Sequence, residues 1–422
     1  MVLRVVPDAG TGTGTGTATA TGAGASDPFG ATIFRGLGTK AAPGAPAPAA
    51  EAPEFRIETP TLDEQEYREL RRDRAVACIA QPMPVHLIAP VAEPAAASAA
   101  EPLVVDGATW GVFVTGALQS PYIGNGVTVA VLDTGIDKTH ETFRGVQIVE
   151  KDFTGEGNGD ANGHGTHVAA TIFGRSSGGV RHGVAPGVAR ALIGKVIGAK
   201  NSASTREIVD AIQWAIDSGA HIVNMSLGFD FPGLVSHWTK SGMPVDLATS
   251  RALAQYRDNV RFFDATTNWL RTRAAQHRSA LLVAAAGNES QRAKNADHTI
   301  DVSPPAAADG VLSVAAVQTA GAPHNALRVA SFSNVRALVS APGVAIYSAQ
   351  AGGGYSSKNG TSMASPHVAG AAALWAERQL LRTGTVNVAA LDAQLRGNAR
   401  RDRLPEAAYR DVGEGLVVAP AE

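Results

Sequence analysis

Five short apolar runs constrain this chain more than any other feature. They are VTVAVL (127–132), ALIGKVI (191–197), HIVNMSL (221–227), LLVAAA (281–286) and GVLSVAAV (310–317). Each is apolar at nearly every position instead of at every second one. A strand with that pattern is buried on both faces, as in a parallel sheet covered by helices. Helical segments lie between the runs. One starts at Ser204, with Glu207 three residues later in capping-box spacing, and carries Ile208, Ile212, Ala215 and Ile216 on one face. The alternation predicts a doubly wound α/β fold, a mostly parallel sheet with helices on both faces.

The rest of the chain is organised around that block. Residues 1–53 are dominated by Gly, Thr, Ala and Pro and read as a disordered tail, because such a segment cannot offset its ordering entropy by burial. Residues 54–92 read as a small α/β module. LDEQEYRELRRDR places Leu62, Tyr67 and Leu70 at helical spacing, and AVACIAQPMPVHLI follows as one strand-like run. The Ala/Pro-rich run at 92–102 marks a linker, bounded as 93–104, and the main domain spans 105–422.

Composition removes several function classes. With 45% hydrophobic and 18% charged residues, the chain has ample material for a core. A formal net charge of -2 argues against a dedicated nucleic-acid binder. No stretch reaches the roughly 20 apolar residues that cross a bilayer. The start MVLRVVPDAGTGTG lacks the apolar core of a secretory signal, so a cytoplasmic location is expected. The single cysteine, Cys78, precludes an internal disulfide and is expected to be buried and inert.

Three segments set a potentially catalytic side chain beside glycines at an element boundary. In AVLDTGID, Asp133 ends an apolar strand, and sites in open α/β sheets form at such carboxyl ends. In NGHGTHVAAT, His164 opens a helix. In NGTSMASPHVAGAAALWAE, Ser362 heads a long helix, whose free N–H groups favour a developing oxyanion. A serine nucleophile needs a histidine to take its proton, and the histidine needs a carboxylate to hold its tautomer. Asn288 in AAAGNES, just past the fourth strand, supplies an amide for the oxyanion.

Each motif has a plainer reading. His164 with His167 resembles half a metal site, but zinc needs three or four ligands and no carboxylate or cysteine cluster lies near. His167 and His367 read as structural. Gly174-Arg175-Ser176-Ser177-Gly178 matches the G-x-S-x-G elbow, but it follows a helix instead of a strand and reads as a surface loop.

The order Asp, His, Ser with these flanks resembles the subtilisin-like serine proteases, the subtilases, over about 105–419. The resemblance implies a serine endopeptidase acting on peptides or proteins through an acyl-enzyme, with no organic cofactor. It makes Asp133, His164 and Ser362 the triad and Asn288 the oxyanion-hole side chain. It makes Ser226, Leu227 and Gly228 a substrate-lining edge, faced by Ala285, Ala286 and Gly287. Glu289 falls near the pocket for the residue preceding the cut, where it and Asp160 add negative potential. The alternatives are a peptide-binding pseudoprotease and a narrow-specificity processing protease.

Three departures qualify the resemblance. The loop where the family commonly binds structural calcium reads GRSSGGVRHGVAP (174–186), without Asp, Asn or Glu, so calcium there is doubtful. The acidic stretch Glu150, Asp152, Glu156 and Asp160 is the other cation candidate, read more simply as a solvated loop. An insertion at about 229–280 is expected to hold two helices, 244–259 and 262–278, near one rim of the cleft. The 54–92 module sits where a prosegment would, short for that role, and is expected either to be an intramolecular inhibitor that is cut off within 92–102 or a permanently attached extension.

Overall fold

The computed structural model describes residues 1–6, 54–58, 60–91, 103–272, 279–321 and 326–422. The N-terminal module contains strands β1 (Val2–Val6) and β2 (Glu54–Glu58), helix α1 (Glu64–Leu70), and strands β3 (Val76–Ile79) and β4 (Pro84–Leu87). The expected tail, 1–53, is therefore corrected at its start. Val2, Leu3, Val5 and Val6 give residues 2–6 enough β-propensity to form the central strand of a β2-β1-β3 sheet. Residues 7–53 and 92–102 lie outside the described residues. The single strand expected over 75–88 is two, because Pro82 falls in the break between them and Pro84 can only begin the second.

A small hairpin, β5 (Val104–Val105) and β6 (Ala108–Thr109), leads through α2 (Trp110–Val114) into the main sheet. That sheet uses β7 (Thr128–Asp133), β8 (Gln147–Asp152) and, after helix α3 (His164–Phe173), β9 (Arg190–Lys195). The chain continues through β10 (Ser202–Ser204), α4 (Thr205–Asp217), β11 (Ile222–Met225) and β12 (Leu227–Phe229). The insertion holds α5 (Phe231–Lys240) and α6 (Val245–Thr272). Then come β13 (Leu281–Ala285), β14 (Val311–Thr319), β15 (Leu327–Val329) and β16 (Val339–Pro342). Strands β17 (Ile346–Ala349) and β18 (Tyr355–Lys358) form a hairpin before helices α7 (Thr361–Thr383), α8 (Val388–Gly397) and α9 (Tyr409–Val412).

The sheet order is β15-β14-β13-β11-β7-β9-β8, with β16 also on β14. All pairs are parallel except β14 with β15. Every residue of β7, β11 and β13 is buried, as continuous apolar runs require. One face packs on α3 and α7 and the other on α4 and α6. The capping box at Ser204 and Glu207 forms and starts α4 as expected.

The insertion differs from expectation. Residues 245–272 contain no Gly or Pro, so nothing breaks the helix, and one 28-residue α6 replaces the two expected. Its side chains Phe262, Phe263 and Trp269 are buried, each contributing about 1.5–3 kcal/mol. The preceding α5 is capped by Asp230, which accepts from Gly233 N at 2.7 Å.

Candidate active site

Asp133 ends the central strand β7, and His164 is the first residue of α3. His164 Nδ1 lies 2.8 Å from Asp133 Oδ1, and both side chains are buried. With Nδ1–H given to the carboxylate, Nε2 carries the free lone pair of the ring. Two glycines permit this approach. A Cβ on Gly165 would sit 2.1 Å from Gly135 O, and Gly135 itself has φ +108, which favours glycine. Asp160 completes the corner. It accepts from Gly163 N and Thr166 N, both at 2.8 Å, and so caps α3. Its carboxylate thus serves the helix end that carries His164.

Ser362 is the second residue of α7. Its carbonyl loses its usual helical donor because Pro366, four residues on, has no N–H. Ser226 Oγ replaces that donor at 3.3 Å and also meets Ser365 Oγ at 3.1 Å. Ser226 therefore faces inward, behind the nucleophile, and is not itself paired with the chain in the cleft. The pairing edge is Leu227, Gly228 and Phe229. Ala285 and Ala286 are fully buried, and Gly287 N donates to Thr361 Oγ1 at 3.1 Å.

Asn288 is oriented by Thr361, whose N and Oγ1 both donate to Asn288 Oδ1 at 2.9 Å. That turns the Asn288 NH₂ into the cleft. The sequence reading missed Thr361, although it stands beside Ser362 in the same motif. It also missed Asn334. Asn334 Oδ1 accepts from Glu289 N and Ser290 N at 3.1 Å, while its Nδ2 donates to Glu289 Oε2 at 2.6 Å. Glu289 edges a pocket with Phe229, Phe231, Tyr256, Ile300 and Asp301.

The cleft is filled by the chain itself. Strand β4 lies antiparallel between β10 and β12, with His86 opposite Gly228. Ser362 Oγ donates to Ile88 O at 2.8 Å, and Asn288 Nδ2 donates to Ala89 O at 3.0 Å. Val91 N then donates to Asn359 O at 2.8 Å. Among the described residues, the buried His164 Nε2 has no hydrogen-bond partner.

The remaining candidates have structural places. His167 Nε2 lies 3.0 Å from Ile346 O, and burial pushes its pKa well down. His367 is buried with Nδ1 2.7 Å from Met363 O, and burial lowers its pKa to about 4. Cys78 is only partly buried, a correction, and burial raises its pKa. Residues 174–178 are a surface turn after α3, where Ser177 Oγ donates to Glu141 at 2.7 Å. The acidic stretch is dispersed: Glu150 pairs with Lys138, and Glu156 accepts from Ala199 N. No group of three or more His, Cys, Asp or Glu among the described residues could hold a metal.

Comparison with known proteins agrees with this geometry. A model of the subtilase family matches residues 124–407. The chain belongs to the subtilase family. Subtilisin DY of Bacillus licheniformis is 39% identical over 259 residues, covering 60% of this chain and 77% of that protein. Subtilisin Savinase of Lederbergia lenta is 33% identical over 303 residues, 71% of this chain and 91% of that protein. The major intracellular serine protease of Bacillus subtilis (strain 168) is 35% identical over 265 residues, 60% and 68%. This subtilase is a serine endopeptidase, and its catalysis needs no cofactor. Among its described residues no helix is long and apolar enough to cross a membrane.

Proposed function

We propose that Ser362 is the nucleophile, His164 its general base and then general acid, and Asp133 the group that holds His164. The observation that carries this is the 2.8 Å Asp133–His164 bond, which leaves Nε2 as a free base. Ser362 Oγ attacks the scissile carbonyl as its proton passes to Nε2. The oxyanion that forms accepts from Asn288 Nδ2 and Ser362 N–H. His164 then protonates the leaving amine, and water repeats the sequence on the acyl-enzyme. A fluorophosphonate probe tests the assignment. Labelling of the wild type and none of Ser362→Ala is expected; labelling that persists in Ser362→Ala would overturn the assignment.

The N-terminal module is the proposed intramolecular inhibitor. Two observations support this: the antiparallel seat of β4, and its register. Hydrolysis needs nucleophile and oxyanion donor at one carbonyl, yet Ser362 meets Ile88 O and Asn288 meets Ala89 O. The hydroxyl is also bonded away from His164. Tethering gives such an occupant a high effective concentration. The linker at 92–102 is the proposed cut if the module is removed, and intact masses of active enzyme and Ser362→Ala decide between removal and permanent attachment.

Calcium in the 174–186 loop fits poorly. Arg181 donates to Gly183 O at 3.1 Å and also bonds Val184 O, so a guanidinium already occupies carbonyls there. Weak dependence of stability on calcium is proposed. A cytoplasmic setting is also proposed, supported by the single cysteine and the likeness to an intracellular protease.

A further inference from the structure

We propose that the acyl side of this cleft binds eight residues of substrate, and that Thr205, Gln255 and Asn259 hold the outer three by their backbone. The substrate class is then extended, unfolded polypeptide in preference to short peptides. This rests on the endopeptidase reading and takes the resident segment as a stand-in for substrate.

Counting back from Ile88, whose carbonyl faces Ser362, His86 is the third residue and Val85 the fourth. Strands β10 and β12 hold those. The grip continues past them. Met83, the sixth, donates from its N to Thr205 Oγ1 at 3.0 Å and accepts from Thr205 N at 3.1 Å. Pro82 O, at the seventh, accepts from Gln255 Nε2 at 2.7 Å. Gln81 O, at the eighth, accepts from Asn259 Nδ2 at 2.7 Å. Asn259 is fully buried, and its Oδ1 accepts from Thr205 Oγ1 at 2.8 Å. One network therefore links all three readers.

Each of these contacts reaches a main-chain atom, which every sequence offers, so the network is indifferent to side chains at the seventh and eighth positions. Only the sixth adds an apolar requirement, since Met83 is fully buried. Gln255 and Asn259 lie one turn apart on α6, so the insertion is what lengthens the cleft.

The test compares two p-nitroanilides in the full chain: acetyl-Val-His-Leu-Ile and acetyl-Gln-Pro-Met-Pro-Val-His-Leu-Ile. A competing resident segment divides both kcat/KM values by the same factor, so their ratio is still readable. The longer peptide should win by about tenfold or more, given about 0.5–1.5 kcal/mol net per hydrogen bond. In Gln255→Ala/Asn259→Ala the ratio should fall by about fivefold or more, two hydrogen bonds being lost, while Thr205 and the buried Met83 position keep the remainder. A wild-type ratio near one overturns the proposal, as does a ratio unchanged in the double variant. If burial of Asn259 makes the double variant fail to fold, Gln255→Ala alone decides, and an unaltered ratio there is fatal. No hydrolysis of either peptide and no probe labelling by Leu87→Asp, in which a buried unpaired carboxylate loosens the resident segment, would fell the protease reading and this proposal with it.

Discussion

The Asp133–His164 pair and the 81–91 segment meet in one cleft but are held in opposite ways. The pair stands on β7 and α3, elements wrapped by core on both sides. The segment is held by backbone hydrogen bonds to three other stretches, at 202–205, 227–229 and 255–259, and by burial of Met83, Val85, Leu87 and Ile88. Rigid elements fix a catalytic geometry to fractions of an ångström, whereas a backbone-paired strand is exchangeable with any other extended chain. The first region is built for permanence and the second for replacement.

The largest test of that contrast is Ser362→Ala or His164→Ala. Each should lower kcat by about 10⁶-fold, the magnitude that subtilisin itself shows, and the double variant should be little worse. Steady-state kinetics checks it, and additive losses would break the triad reading. Asn288→Ala should cost about 10²–10³ in kcat, again the figure for subtilisin, with KM nearly unchanged.

The permanent region should also show its packing in acid. His367 has a folded pKa of about 4 against 6.5 in the unfolded chain. The unfolded state therefore takes up the proton first. Stability is full above pH 6.5 and declines as pH falls towards 4, by about 3 kcal/mol for this group. Urea titrations at pH 7 and pH 4.5 should show a smaller loss in His367→Gln than in wild type. Equal losses would remove His367 from the account.

The replaceable region predicts a gain. Leu87 is buried between β10 and β12, so Leu87→Asp would bury an unpaired carboxylate and loosen the segment. Hydrolysis of the tetrapeptide anilide by the full chain should rise about tenfold, against about 1.4 kcal/mol of lost hold. Unchanged activity would mean the segment does not block the cleft. The smallest effect belongs to Glu289, whose Oε2 is held by Asn334. Glu289→Gln should lower the preference for Lys over Leu before the cut by about two- to fivefold, a modest change because the group is exposed.

Much of the first region was legible from residues. Continuous apolar runs named β7, β9, β11, β13 and β14, and glycine-flanked Asp133, His164 and Ser362 stood at their ends or at helix starts. The place of the Ser226 side chain was not legible, because only the helix geometry around Pro366 shows that its hydroxyl turns behind Ser362. Residues 2–6 were absorbed into a tail, since a five-residue strand gains meaning only from partners 48 or more residues away.

Local sequence decides what local physics decides: apolar periodicity, caps, breakers, and which side chains can share protons. It fixed the α/β sheet, the start of α4 and the chemistry of the candidate triad. Tertiary structure alone decided that β4 enters the cleft, that Ser362 meets Ile88 while Asn288 meets Ala89, and that Gln255 and Asn259 on α6 grip Pro82 and Gln81. Those contacts end on main-chain carbonyls of a distant segment, and every residue carries the same C=O, so no residue pattern marks the acceptors in advance.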